Sequence, residues 1–234
     1  MDIQIAICDD EDIFCQEIKK NLLRIRPKYK ITVYHSGYEL IDSKKKFDLI
    51  FLDIKMPDID GMKTAEILRK NGNSSLMIFL TSYIEAMPEA FKVRAFRFLC
   101  KPIEEEKFVE AIMNAEKDLI SNRKISVINK GETKIINITD ILYLEAFGDG
   151  TYVYTKNDVL ESNESLKCWN DRLGSEQFFQ IHRTYVVALR YVQKIGSNFI
   201  KIKGIEREIP VSRRRRVELK EIVNKYIKEQ SRYF

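Results

Sequence analysis

The stretch Asp48-Leu49-Ile50-Phe51-Leu52-Asp53 decides the fold. Leu49 to Leu52 is an unbroken apolar run, the pattern of a strand buried on both faces of a parallel sheet. The run ends on a carboxylate, Asp53. The loop Ile54-Lys55-Met56-Pro57-Asp58 follows, and Ile59-Asp60-Gly61 opens a predicted helix. Ligands of open α/β sheets bind beyond the carboxyl ends of the strands, so Asp53 stands where chemistry is expected.

Upstream, Ile3 to Ile7 reads as a first strand that runs into Cys8-Asp9-Asp10-Glu11-Asp12. Adjacent acids repel one another unless a cation or solvent screens them. Asp12 is a candidate cap for a helix with apolar residues at Ile13, Phe14, Ile18, Leu22 and Ile25, ended by Arg26-Pro27. Ile31 to Tyr34 is a second strand, and a short helix is expected from Ser36-Gly37 through Lys46.

Downstream, a helix is expected from about Asp60 to Lys70, and Asn71-Gly72-Asn73-Ser74-Ser75 is a loop by composition. Leu76 to Leu80 is a fourth strand, ending on Thr81-Ser82. A weaker helix is expected over Ile84 to Arg94. Phe96 to Cys100 is a fifth strand, ending on Lys101-Pro102, and a last helix runs from about Glu104 to Ser121. Five alternations of strand and helix predict a five-stranded, doubly wound parallel sheet. Asp9, Asp10, Asp53, Thr81 and Lys101 would all lie on one rim of it.

This set has a chemical use. Mg2+ prefers one or two carboxylates with phosphate oxygens and water. A carboxylate can act as nucleophile toward a phosphoryl group, while a metal, a lysine and a hydroxyl stabilise the charge on it. The pieces Cys8-Asp9-Asp10-Glu11, Phe51-Leu52-Asp53-Ile54-Lys55-Met56-Pro57, Leu80-Thr81-Ser82 and Leu99-Cys100-Lys101-Pro102 resemble the receiver domain of two-component response regulators, flavodoxin-like in fold, over residues 1–122.

The resemblance implies that Asp53 is the phosphoacceptor and that Asp9, Asp10, Asp53 and the backbone carbonyl of Lys55 hold Mg2+. It also implies that Thr81 and Lys101 contact the phosphoryl group and that Phe98 is the switch aromatic. A sensor histidine kinase is the implied donor. An Asp-nucleophile phosphatase of the haloacid dehalogenase kind would carry a second Asp where this chain has Lys55. Lys55 and Tyr83, both large, flank the attack path of water in the family and are expected to slow hydrolysis of the phosphorylated state.

From Ile125 the periodicity changes to short strands separated by turns, with little helix. Strands are expected at Ile125–Ile128, Thr133–Ile138, Ile141–Ala146, Thr151–Thr155, from Val159, at Tyr191–Ile195 and at Phe199–Lys203. A short helix fits Ser165 to Leu173. Ile209-Pro210-Val211-Ser212 leads into Arg213-Arg214-Arg215-Arg216 and a helix to about Lys228. Four arginines at a helix start oppose the helix dipole, which prefers anions there. That mismatch argues for an anionic partner.

Ile141 to Ala146, Phe178-Phe179-Gln180-Ile181-His182-Arg183-Thr184-Tyr185-Val186-Val187 and Pro210-Val211-Ser212-Arg213-Arg214 resemble the LytTR DNA-binding domain over about residues 125–231, within an expected domain of residues 125–234. The resemblance implies a mainly β domain that reads DNA through loops and turns. Its contact positions map onto Thr151 and Tyr152, onto His182 and Arg183, and onto Arg213 and Arg214. Arg183 and Arg214 are the expected base readers, since Arg pairs bidentately with guanine; Lys156 and Arg215 are expected on phosphate. Gln180 stands where the family usually has Arg, and Ala188 where Asn is common.

The totals fit this division. Residues 1–124 carry 21 basic and 21 acidic residues, whereas residues 125–234 carry 19 and 14, so the whole net charge of +5 lies in the second part. A polyanionic partner for that part is one reading, and a basic surface kept for solubility is the other. No apolar run approaches the roughly 18 residues of a membrane span. The opening Met1-Asp2-Ile3-Gln4 lacks a basic leader, and the four cysteines show no close pairing. Reduced thiols in a cytoplasm are therefore expected, with Cys168 as a core thiol.

The sequence thus predicts a non-enzymatic transcriptional regulator. It would dimerise when phosphorylated and bind tandem repeats of promoter DNA, without a membrane. The competing class is a phosphorylation-controlled module whose basic surface meets an acidic protein. Steep weakening by salt is the mark of DNA.

Overall fold

The computed structural model describes residues 3–82, 92–129, 131–174 and 177–231. The chain divides into two compact units, Met1–Leu119 and Ile120–Phe234.

The first unit is a five-stranded parallel sheet of β1 (Gln4–Cys8), β2 (Lys30–Tyr34), β3 (Leu49–Asp53), β4 (Leu76–Thr81) and β5 (Arg97–Cys100), in the order β2-β1-β3-β4-β5. Alternate side chains point to opposite faces, and both faces are covered. Ile5, Ile7, Leu49, Phe51, Ile78 and Leu80 pack against α1 (Asp12–Ile25) and α4 (Glu105–Ser121). Ala6, Cys8, Ile50, Leu52, Met77 and Phe79 pack against α2 (Gly37–Asp42) and α3 (Gly61–Lys70). The helices bury stripes at helical spacing, Cys15, Ile18 and Leu22 on α1 and Phe108, Ala111, Ile112 and Ala115 on α4.

The helix starts are local. Asp60 caps α3 by accepting from the Lys63 N–H at 2.7 Å, and Ser36 caps α2 through the Glu39 N–H. Asp12 does not cap α1; it is the first helical residue, and Glu11 stands at the cap without a side-chain bond. Helix α2 ends at Asp42, four residues before the expected Lys46. The expected helix from Ile84, and Tyr83 before it, fall on residues 83–91, outside the described residues.

In the second unit, the first strand follows the end of α4 after two residues. β6 (Lys124–Asn129) and β7 (Glu132–Asn137) form a hairpin. A five-stranded antiparallel sheet follows, ordered β10-β9-β8-β12-β11. Its strands are β8 (Ile141–Phe147), β9 (Gly150–Thr155), β10 (Val159–Ser162), β11 (Phe178–His182) and β12 (Tyr185–Ala188). β13 (Val192–Ile195), β14 (Phe199–Ile202) and β15 (Ile209–Pro210) form a third sheet.

One core gathers Leu144, Val153, Leu160 and Val186 around Trp169 of α5 (Leu166–Leu173). The Trp169 Nε1–H donates to Ser162 Oγ at 3.1 Å, which satisfies its one polar atom inside that core. The other core joins Tyr143, Ile181 and Val187 to Ile200, Ile202 and Ile209 and to Leu219 and Val223 of α6 (Arg213–Ser231). Cys168 is exposed rather than in a core. Helix α5 buries Leu166, Trp169 and Leu173, and position 168 falls off that stripe.

Candidate functional site

Strand register builds the first site. Cys8 lies opposite Leu52, Asp53 opposite Leu80, and Thr81 opposite Cys100. The residues that follow Cys8 and Cys100, Asp9 and Lys101, are therefore brought to the same rim as Asp53 and Thr81. The adjacent strands β1 and β3 are also where the strand order reverses, the place at which such sheets bind ligands.

Lys101 Nζ lies 2.7 Å from Asp9 Oδ2 and 3.3 Å from Asp53 Oδ1. The side chains of all three are buried, while Asp10 is exposed. Lys101 Nζ also sits 4.2 Å from the centroid of the Phe14 ring, a contact that strand-end reasoning did not reach because Phe14 comes from α1. Asp9 Oδ1 accepts the Glu11 N–H at 3.0 Å, and the Lys101 N–H donates to the Thr81 carbonyl at 2.9 Å. Thr81 is buried, and Phe98 is half-buried and stacked on Phe79 at 5.4 Å.

Burial pushes the Asp53 carboxyl up to about 6; Lys101 opposes the rise and Asp9 adds to it. Burial alone would lower Lys101, but its bond to Asp9 and the charges of Asp53 and Asp9 raise it. Carboxylate oxygens of Asp9, Asp10 and Asp53 come within 4.8 Å of one another. A hard, all-oxygen donor set of this size fits a small divalent cation.

The loop after Asp53 is held closely. Ile54 N–H donates to the Leu80 carbonyl at 3.3 Å, and Gly61 N–H to the Ile54 carbonyl at 2.9 Å. A Cβ at Gly61 would lie 2.0 Å from the Asp53 carbonyl oxygen, so only glycine lets α3 start there. Met56 is buried with its Sδ 3.6 Å from Cys8 Sγ, while Lys55 between Ile54 and Met56 is exposed.

In the second unit, β11 and β12 form a hairpin in which His182 faces Tyr185, with Arg183 and Thr184 as its turn. Arg183 is exposed at the tip. The Ser212 N–H donates to the Ile181 carbonyl at 3.2 Å, which brings the start of α6 beside that hairpin. Gln180, His182, Arg183, Ser212 and Arg215 line one open depression of about 460 Å³. Gln180 and Ser212 were not expected in it.

The four arginines divide. Arg213 and Arg214 are exposed, although Arg214 Nε reaches Glu218 at 3.3 Å. Arg215 pairs with Glu218 at 2.7 Å and lies over Phe179, and Arg216 donates to the Ser197 carbonyl at 3.0 Å. Lys156 is paired with Asp140 at 2.9 Å.

Thr151 departs from expectation. It is fully buried inside β9, and its hydroxyl donates to the Glu164 carbonyl at 2.8 Å. The turn closes earlier, at Gly148-Asp149. Tyr152 is half-buried and stacked on Phe147 at 3.9 Å.

The profile of the response regulator receiver domain matches residues 5–113, and that of the LytTr DNA-binding domain matches residues 131–224. The transcriptional regulatory protein YpdB of Escherichia coli strain K12 is 23% identical over 95% of this chain and 100% of its own. The sensory transduction protein LytT of Oceanobacillus iheyensis is 28% identical over 91% of this chain and 94% of its own. The solved receiver domain of Francisella response regulator 1452 is 23% identical, with TM-score 0.44, over 50% of this chain and 99% of its own. Among the described residues, no helix is long and apolar enough to cross a membrane.

Proposed function

The chain is a transcriptional response regulator that joins a receiver domain to a LytTR DNA-binding domain, and from that premise we propose that Asp53 is the residue through which its DNA binding is switched. The observation that carries the proposal is the buried Asp9–Lys101–Asp53 group on the rim, with Lys101 Nζ 3.3 Å from Asp53. An oxygen of Asp53 attacks the phosphorus of a phosphohistidine on a partner kinase. The P–N bond breaks, and an aspartyl phosphate forms.

Asp9, Asp10, Asp53 and the Lys55 carbonyl would hold Mg2+, which supplies positive charge opposite the phosphoryl oxygens. Lys101 supplies a second positive charge, and the Thr81 hydroxyl donates to a phosphoryl oxygen. Movement of Thr81 leaves room for Phe98, which lies on the neighbouring edge strand β5, to turn inward. Phosphorylation in this reading shifts an equilibrium between two receiver shapes rather than creating one.

On the DNA side, His182, Arg183, Arg213 and Arg214 form the contact face, with Tyr152 at the neighbouring sheet end. Their clustering around one depression and one helix start supports this reading. A dimer of phosphorylated chains would set two such faces on tandem promoter repeats and raise affinity through effective concentration.

The first test is intact-protein mass spectrometry after incubation with a small phosphodonor and Mg2+. The wild-type chain gains one phosphoryl group, and Asp53→Asn or addition of a chelator abolishes the gain. Equal labelling of Asp53→Asn would remove Asp53 from its role.

A further inference from the structure

The hairpin that carries His182 is closed in an unusual way. Two-residue hairpins favour turns with positive φ, supplied by Asn or Gly. Neither Arg183 nor Thr184 has positive φ, and the β11–β12 register shifts between Gln180 and His182. The side chain of His182 takes part in the closure instead. Its Nδ1 accepts the backbone N–H of Thr184 at 3.4 Å and lies 2.8 Å from the Thr184 hydroxyl.

The direction of the first contact bears on which ring nitrogen carries the proton. A backbone N–H can only donate, so the Nδ1 that faces it presents its lone pair. With that lone pair shared between the backbone N–H and the Thr184 hydroxyl, whose contact at 2.8 Å has either direction open to it, the neutral ring would carry its hydrogen on Nε2. The ring lines the open depression with Arg183, Ser212 and Arg215. Thr184 itself is held, since its carbonyl accepts the Ala146 N–H at 2.9 Å from β8.

We infer that Thr184 is a positioning residue that holds His182 as an Nε2–H donor, so that position 182 reads a hydrogen-bond acceptor on DNA. The inference rests on the DNA-contact reading of His182. In the major groove, acceptors are purine N7, guanine O6 and thymine O4, whereas the amino groups of cytosine and adenine are donors. A fixed Nε2–H donor therefore discriminates against those amino groups. A ring with its proton on Nδ1 would present the opposite chemistry. A phosphate oxygen is also an acceptor, and the two sources differ in whether base preference changes.

The test uses the full chain at pH 8 and has two readouts. Long-range proton–nitrogen NMR reads the tautomer, and His35→Gln assigns the signals, because the chain has two histidines. Selection and competition with duplex DNA read the base preference. The wild type is expected as the Nε2–H form. Thr184→Val, which keeps the branched shape and removes the hydroxyl, mixes the tautomers and lowers discrimination at one base position about five- to tenfold. Thr184→Ser restores both.

His182→Gln, whose amide reaches the Nε2 position, retains the preference better than His182→Asn. A wild-type ring with its proton on Nδ1 overturns the inference. So does a mixed tautomer in Thr184→Val with base preference unchanged at every position. Preference unchanged but affinity lowered equally on all sequences assigns the donor to phosphate and overturns base reading at position 182. If wild type binds no DNA although the ring is the Nε2–H form, the DNA-contact reading fails, and the tautomer assignment survives it.

Discussion

Burial and the charge of Asp9 hold the Asp53 carboxyl up at about 6, against an ordinary value of 3.8, despite the lysine beside it. The folded receiver therefore binds a proton at Asp53 more readily than the unfolded chain does. Asp53 then lowers stability as pH rises from about 4 to about 6, and the loss is complete above that window. Asp53→Asn should raise the melting temperature at pH 7.5 without divalent cation, by an amount equivalent to about 1–2 kcal/mol. The gain should vanish near pH 4, and Mg2+ should narrow it by stabilising the wild type alone. Thermal scans across pH check this; a variant less stable than wild type at pH 7.5 would mean that Lys101 outweighs burial.

Arginine positions separate by what they touch. Arg183, exposed at the hairpin tip, should cost about 1–3 kcal/mol of discrimination at one base position when changed to Ala. Arg213→Ala at the start of α6 should weaken binding more evenly across sequences, with a shallower salt slope if it meets phosphate. Competition binding at two salt concentrations distinguishes the outcomes. The exposure of these side chains was not legible from the run of four arginines, because it depends on a tertiary contact, Arg216 to the Ser197 carbonyl, as well as on the Arg215–Glu218 pair within the helix.

At the scale of elements, the contact of α3 with the end of β3 is the tightest near the site. Gly61→Ala should shift the Asp53 carbonyl or the start of α3, since the added carbon would lie 2.0 Å from that oxygen. We expect a loss of at least about 2 kcal/mol in urea unfolding and slower phosphoryl transfer, because reaction rates fall steeply when reacting groups are misplaced. Unchanged unfolding and labelling would show that the helix start adapts freely.

Strands β1, β3 and β4 were legible because a continuous apolar run admits few alternatives once a carboxylate, a hydroxyl or a loop ends it. The strand from Thr151 was legible behind the glycine-rich turn, whereas the burial of the Thr151 side chain against the Glu164 carbonyl was not, because that partner comes from another loop. Gly148 has φ 47°, whereas Gly150 lies in the strand, where a Cβ would come 2.6 Å from the Ser162 carbonyl. The Arg183-Thr184 turn carried no glycine or asparagine signal, since a side chain closes it.

Across the whole molecule, a charge-neutral receiver and a basic DNA-binding part divide the work. A surface of that kind should lose DNA affinity as a power of salt concentration, in both phosphorylated and unphosphorylated protein. A switch that acts through dimerisation should change affinity for two-repeat sites far more than for single repeats.

Phosphorylation of Asp53 is proposed to control sequence-specific DNA binding. The most direct measurement is selection from a random duplex pool with the full chain, with and without a small phosphodonor and Mg2+, beside Asp53→Asn. The expected result is enrichment of a two-repeat site, strengthened by the donor only when Asp53 is present. Equal enrichment in all samples would contradict the switch, and no enrichment at low salt in any sample would contradict DNA reading by this chain.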